Sequence, residues 1–193
     1  MPMLNQVVFD EATHEYRVEG RKLPSVTGIL KEAGLIDDTF MDPSALQRGT
    51  FVHQACEYDD VGDLDESTVD AAILPYVQAW RRCKSEMGFK VLEIEKRVYH
   101  QPLDYCGTLD RIVELRGRRI LIDIKTGSGA AWHQVQTSAY ALAMKWEDPL
   151  TVLDRAAVYL TAEGGYKFCE HKQRLDFDVW KAAVTLAAWK GIK

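Results

Sequence analysis

LIDIKTG, residues 121–127, is the stretch on which the fold of this chain turns. Leu121, Ile122 and Ile124 read as a buried strand, yet Asp123 and Lys125 stand within it. Side chains on a strand alternate faces, so Asp123 and Lys125 share one face and Ile122 and Ile124 the other. A buried charge without a partner costs several kcal/mol, on the order of the desolvation of an ion. Either the two charges neutralise each other, as in an ordinary ion pair, or their face opens onto something charged.

Working outward, GTLDRIVEL (107–115) and RRILIDIKT (118–126) form two strands joined by a tight Arg116–Gly117 turn, with FKVLEIEKRVYH (89–100) as a third strand before them. A helix is predicted over about 131–147, where Trp132, Val135, Ala139, Leu142, Ala143 and Trp146 recur at helical spacing. A hairpin turning at Gly164–Gly165 and a closing helix in LDFDVWKAAVTLAAWK follow. Upstream, VVFDEATHEYRVEG reads as a hairpin, and PSVTGIL as a short helix capped by Ser25 and stopped near Gly34. A second helix opens at Asp42–Pro43 and leads into the acidic DDVGDLDE, read as a solvated loop. A third helical region opens at Ser67 and Asp70 and continues to Met87, with Gly88 as its stop and Pro75 kinking or restarting it. Three strands, a crossover helix and a further strand imply a mixed sheet flanked by helices.

Composition narrows the class of function. A chain of 193 residues with 47% hydrophobic and 27% charged residues is expected to form one globular domain, 1–193: hairpin and helices 1–88, core 89–147, and hairpin and helix 148–193. No apolar run approaches the ~18 residues of a membrane span, and MPMLNQVVFDEATHEY has no leader pattern, so the expected setting is cytoplasmic, without a membrane partner. A net charge of −5 gives no wholesale attraction to nucleic acid and leaves room only for a local basic groove or metal ions. Cys56, Cys83, Cys106 and Cys169 form no CxxC pair and read as free thiols.

Pairing of the two central strands brings Asp110 and Asp123 to one end of the sheet. Two adjacent carboxylates repel unless a cation lies between them or one holds a proton. Hard divalent ions take oxygen ligands and leave positions for water and phosphate. With Lys125 in reach, the set suits metal-assisted hydrolysis of a phosphodiester.

Taken in order, RGTFVHQACE (48–57), GTLDRI (107–112), DIKTG (123–127) and QTSAY (136–140) resemble the RecB-type branch of the PD-(D/E)xK nuclease superfamily, over roughly residues 48–140. That branch carries a helical histidine, then GxxD, (D/E)xK and QxxxY. The hairpin followed by PSVTGIL is similar to the opening of phage-type exonucleases. The resemblance implies an α/β fold with a restriction-endonuclease-like core. It implies catalytic Asp110, Asp123 and Lys125, and Mg²⁺ or Mn²⁺ held by His53, Asp110, Asp123 and the Ile124 carbonyl. Gln136 and Tyr140 would support the site, with Glu57 and Glu95 as outer candidates that solvated carboxylates would match equally well.

DNA contacts are expected from Arg48, Arg111 and Thr126, with Lys96, Arg97 and the Arg116/Arg118/Arg119 turn as further candidates. The scattered cysteines depart from the relatives that hold an iron–sulfur cluster, so none is expected. The implied activity is DNA hydrolysis, with an exonuclease acting on linear ends in phage recombination, replication or repair ahead of two alternatives. These are a structure-specific endonuclease and an inactive DNA-end-binding module. A single-strand-annealing recombinase, a single-strand-binding protein or a second copy of the chain are the partners expected by analogy.

Overall fold

The computed structural model describes residues 7–37 and 42–191; Met1–Gln6, at the head of the stretch read for a leader, and Met41, just ahead of the second helix, lie outside them. A mixed α/β architecture results, with a five-stranded sheet in the order β4-β5-β6-β7-β8 at its centre. Its strands are β4 (Lys90–His100), β5 (Tyr105–Leu115), β6 (Arg118–Lys125), β7 (Asp154–Leu160) and β8 (Tyr166–Glu170). All neighbours pair antiparallel except β6 and β7. A parallel pair needs a long crossover, which α4 (Ala131–Glu147) supplies. This is the mixed, helix-flanked sheet that the strand order implied, and the restriction-endonuclease-like arrangement that the resemblance implied.

The β5–β6 turn is made by Arg116 (φ 51°) and Gly117 (φ 76°), both left-handed, as a two-residue hairpin with the twist of its strands requires. Alternation along β6 divides the core. Ile120, Ile122 and Ile124 pack with Val52, Cys56, Val77 and Trp80 beneath α2 (Pro43–Val61) and α3 (Leu74–Met87). Leu121 faces the other layer, with Ala139 and Tyr140 of α4, Ile29 of α1 (Val26–Glu32) and Trp180 of α5 (Leu175–Trp189). Asp123 and Lys125 are in phase with Leu121 and turn toward α4.

A small antiparallel sheet of β1 (Val7–Asp10), β2 (Glu15–Val18) and β3 (Arg21–Leu23) precedes this core. The sequence reading found its first two strands. The third follows at once, because Glu19 and Gly20 take left-handed φ values and fold the chain straight back. Ser25 caps α1 by accepting the Gly28 N–H at 2.9 Å, and Asp42 caps α2 at Ser44.

Three expectations change in detail. The third helical region is a 3-10 turn at Glu66–Thr68 followed by α3, with Pro75 in its first turn, where a missing N–H costs nothing. Strand β5 begins at Tyr105, drawn out by a Cys106 N–H bond to the Pro24 carbonyl, so Asp110 lies mid-strand. Asp59 and Asp60 of the supposed acidic loop belong to the last turn of α2, and the Asp60 side chain is fully buried.

Candidate active site

Strand β6 delivers its two charges to one place. Lys125 Nζ lies 2.8 Å from Asp123 Oδ2, an ion pair out of line for a hydrogen bond. Asp123 is only 2% exposed. Burial raises its pKa to about 6, Lys125 pulls against that, and the nearby Asp110 carboxylate adds to the rise. The apolar run therefore tolerates its charges by pairing them, yet the pair does not fully stabilise the anion. A further negative group is at hand.

That group is Asp110. The β5–β6 ladder pairs Arg111 with Ile122 and goes no further. Beyond it, the Asp110 carboxylate accepts the Ile124 N–H at 2.6 Å, satisfying a donor the opened ladder leaves behind. His53, from the middle of α2, brings Nδ1 to 3.5 Å from Asp110 Oδ2. Glu95 completes the cluster from β4. One donor atom each from His53, Glu95 and Asp110 lie within 4.8 Å of one another. Opposite ligands of an ion bound at ~2.1 Å are ~4.2 Å apart, so a small contraction would close this set around a hard divalent cation.

Two features of Glu95 mark it as strained and under-compensated. Its φ is 45°, a left-handed conformation that costs a non-glycine residue about 1–3 kcal/mol. Burial, then repulsion from Asp110, pushes its pKa up to about 8, although Arg111 donates to Oε1 at 2.8 Å. A buried carboxylate, a half-buried one and an imidazole converge, with Arg111 as the nearby cation. The donor chemistry fits Mg²⁺, and the imidazole suits Mn²⁺ as well.

On the other side of Lys125 a hydrogen-bonded chain runs along α4. Lys125 Nζ donates to Gln136 Oε1 at 2.9 Å, and Gln136 Nε2 donates to the Tyr140 hydroxyl at 3.2 Å. The Trp132 ring lies 5.2 Å from the ammonium and walls it. Tyr140 in turn presses on β5: a Cβ at Gly107 would lie 2.6 Å from Tyr140 Cε1, so only glycine fits there. Thr108 meets the Tyr16 hydroxyl at 2.9 Å, which ties the small sheet to the same place.

Other expected residues fall variously. Arg48 is half-buried, with Nε unpartnered. Gly49 beside it faces Thr126, whose Oγ1 would be in ordinary contact, 3.6 Å, with a Cβ there. Glu57 is half-buried one turn beyond His53, near enough to raise the Glu95 pKa slightly. Arg111 is a correction. Read as a DNA contact, it is wholly enclosed, with Nε on Asp60 Oδ2 at 2.6 Å, Nη1 on both Glu95 Oε1 and the Asp110 carbonyl, and Nη2 without a hydrogen bond. The Arg116/Arg118/Arg119 turn sits at the opposite end of β6, about 23 Å from Lys125 at ~3.3 Å per residue.

The sequence reading passed over Asp60 as part of a solvated acidic loop. Asp60 accepts from Arg111, from Lys84 Nζ at 2.5 Å and from Trp80 Nε1 at 3.0 Å. Arg81 and Lys84, spaced along α3, were the available signal that an acidic helix end packs there.

Comparison with known proteins bears on this geometry. The family model described as the PD-(D/E)XK nuclease superfamily matches residues 29–184. No curated protein matches the chain. A solved structure from Eubacterium rectale, named as a candidate exonuclease, superposes with a TM-score of 0.53 at 12% identity, covering 89% of this chain and 75% of that one. The structure of LHK-Exo in complex with dAMP gives a TM-score of 0.39 at 16% identity, covering 86% and 87%. At such identities the likeness to the first is one of fold.

Proposed function

The chain belongs to the PD-(D/E)XK nuclease superfamily, and from that membership we propose a metal-dependent deoxyribonuclease, specifically an exonuclease that shortens DNA from its ends. The observation that carries the reading is the junction of two half-sites where β5 and β6 part. Lys125 with Gln136 stands on one side of Asp123, and the His53, Glu95 and Asp110 cluster on the other.

Asp110, Glu95 and His53 would hold the ion, with Asp123 and the Ile124 carbonyl beside them. A divalent ion there, Mg²⁺ or Mn²⁺, would polarise a phosphoryl oxygen and lower the pKa of a water. The protein's own groups do the rest. An ammonium has three donors; Lys125 spends one on Gln136 and turns another toward Asp123. The third is available to orient the attacking water or to offset charge on the phosphate. Water adds to phosphorus, the P–O bond to the leaving oxygen breaks, and that oxygen takes up a proton. Tyr140, seated on Gly107, keeps Gln136 and hence Lys125 in place. Arg48 and Thr126, at the mouth, are the groups we assign to the DNA backbone, and linear DNA is the assigned substrate. Phage-type recombination or repair, beside an annealing or single-strand-binding protein, is the setting this reading suggests.

The test pits linear against covalently closed circular DNA in Mg²⁺ and in Mn²⁺, with Asp123→Ala purified in parallel. Degradation of linear DNA alone, absent in the variant, is expected. Cutting of circles would move the assignment to a structure-specific endonuclease. Binding of ends without turnover in either metal, on single or double strands, would make the chain an inactive end-binding module.

A further inference from the structure

Helix α2 reaches the acidic cluster by two routes. His53 touches it directly. Seven residues on, and so on nearly the same face of the helix, Asp60 reaches it through Arg111. Both side chains of this second route are fully buried. The Arg111 guanidinium ties together Asp60 of α2, Glu95 of β4 and the Asp110 carbonyl of β5, at 2.6, 2.8 and 2.6 Å. It engages one oxygen of Glu95, Oε1, and a carboxylate has a second oxygen to offer a cation. The left-handed backbone of Glu95 persists only where its surroundings over-determine it. Arg111 is the cationic contact at that residue, and Asp60 is what aims Arg111.

We propose that Asp60 is a positioning residue for the metal site, fixing Glu95 through Arg111 as an oxygen ligand beside His53 and Asp110. This rests on the metal-dependent reading above. Removing hydrogen-bonded partners that orient a metal ligand typically weakens binding about 10- to 100-fold. The rest of the Asp60 environment serves a different end. Lys84 holds the other carboxylate oxygen, Oδ1, from α3, while Trp80 bridges both oxygens. The two arms can therefore be cut separately.

The experiment titrates Mn²⁺ into the metal-free full chain by calorimetry, with thermal unfolding of every variant alongside. Asp60→Asn and Arg111→Lys are expected to lose about 10- to 100-fold in Mn²⁺ affinity while remaining folded. Lysine can still pair with Asp60 but lacks the planar fork that spans to Glu95. Lys84→Met, which strips a charge from the opposite side of Asp60, is expected to lower the unfolding temperature and leave Mn²⁺ affinity unchanged. In a Glu95→Gln background the Asp60→Asn loss should vanish, which a purely structural Asp60 would not produce. Should Asp60→Asn fail to fold, Arg111→Lys carries the same comparison. Wild-type affinity in both variants, or an equal loss in Lys84→Met, overturns the proposal. A wild-type chain that binds no Mn²⁺ removes the metal site itself, a different failure.

Discussion

Two clusters of buried charge lie against helix α2, and they are built on opposite principles. At its C-terminal end, Asp59 and Asp60 meet Arg81, Lys84, Arg111 and Trp80, and each carboxylate oxygen has a donor within 3.0 Å. Midway along, Asp110, Asp123 and Glu95 crowd together with Lys125 and a share of Arg111, and Asp123 Oδ2 has no hydrogen bond. The first cluster is closed: each carboxylate oxygen meets a cation or an indole N–H, and it pins α2 to α3 and the sheet. In the second, burial and mutual repulsion drive Asp123 and Glu95 toward their protonated forms. Such uncompensated negative charge is destabilising in the protein alone and is worth keeping only where a cation or substrate completes it.

The largest effect follows from that contrast. Asp110→Asn keeps the size and shape of the side chain and halves the close carboxylate pair. Loss of one such ligand is expected to lower the single-turnover rate on linear DNA by about a thousandfold or more, near 4 kcal/mol of barrier. The metal-free variant should be at least as stable as wild type in urea, since repulsion with Glu95 and Asp123 is relieved. A variant that is both inactive and markedly less stable would place Asp110 with the closed, structural kind of cluster.

The two clusters were not equally legible in the sequence. LIDIK announced its strand, its two faces and its misplaced charges, because a period of two is a local property. The same alternation in β4 decides less. Glu93 and Glu95 share a phase in EIEKRV, and nothing local says which turns inward. A bulge between Val91 and Glu93, and the left-handed φ at Glu95, decide it; Glu93 ends up paired with Lys96 at 2.7 Å. Asp60 and Arg111 were misread for a related reason. One sat in an acidic run and the other in a run of candidate DNA contacts, and each acquires its meaning only when α3 and β4 close over it.

A second effect, smaller, sharpens the contrast through pH. Glu95 rises from 4.5 to about 8 on folding, and Asp123 from 3.8 to about 6. Through these two carboxyls the native metal-free chain holds extra protons, while His133 and His171, kept neutral by burial with pKa values lowered from 6.5 to about 3 and about 4, hold fewer. The two effects offset below about pH 6.5; above it Glu95 dominates and stability falls as pH rises, the reverse of a salt-bridged carboxylate. Urea midpoints of metal-free protein are expected to drop from about pH 6.5 to pH 8, and Glu95→Gln should flatten that fall. Saturating Mn²⁺ should reverse it, since the ion favours the ionised carboxylates. A midpoint that climbs over the same range would mean that these anions are already compensated, as in the closed cluster.

The smallest effect is expected farthest from both clusters. Arg118 opens β6 at the end opposite Lys125, is 54% exposed, and pairs with Asp154 at 3.0 Å. An exposed pair of this kind contributes at most about 1 kcal/mol. The ~23 Å to Lys125 is nearly three Debye lengths at physiological salt, so its field at the site is screened. Arg118→Ala should therefore leave both the DNA cleavage rate and its salt dependence as they are, despite removing a cation from an acidic protein. A weaker salt dependence in the variant would bring the Arg116–Arg119 turn onto the path of the DNA. It would also mean that the substrate crosses the sheet along β6 rather than entering only where β5 and β6 part.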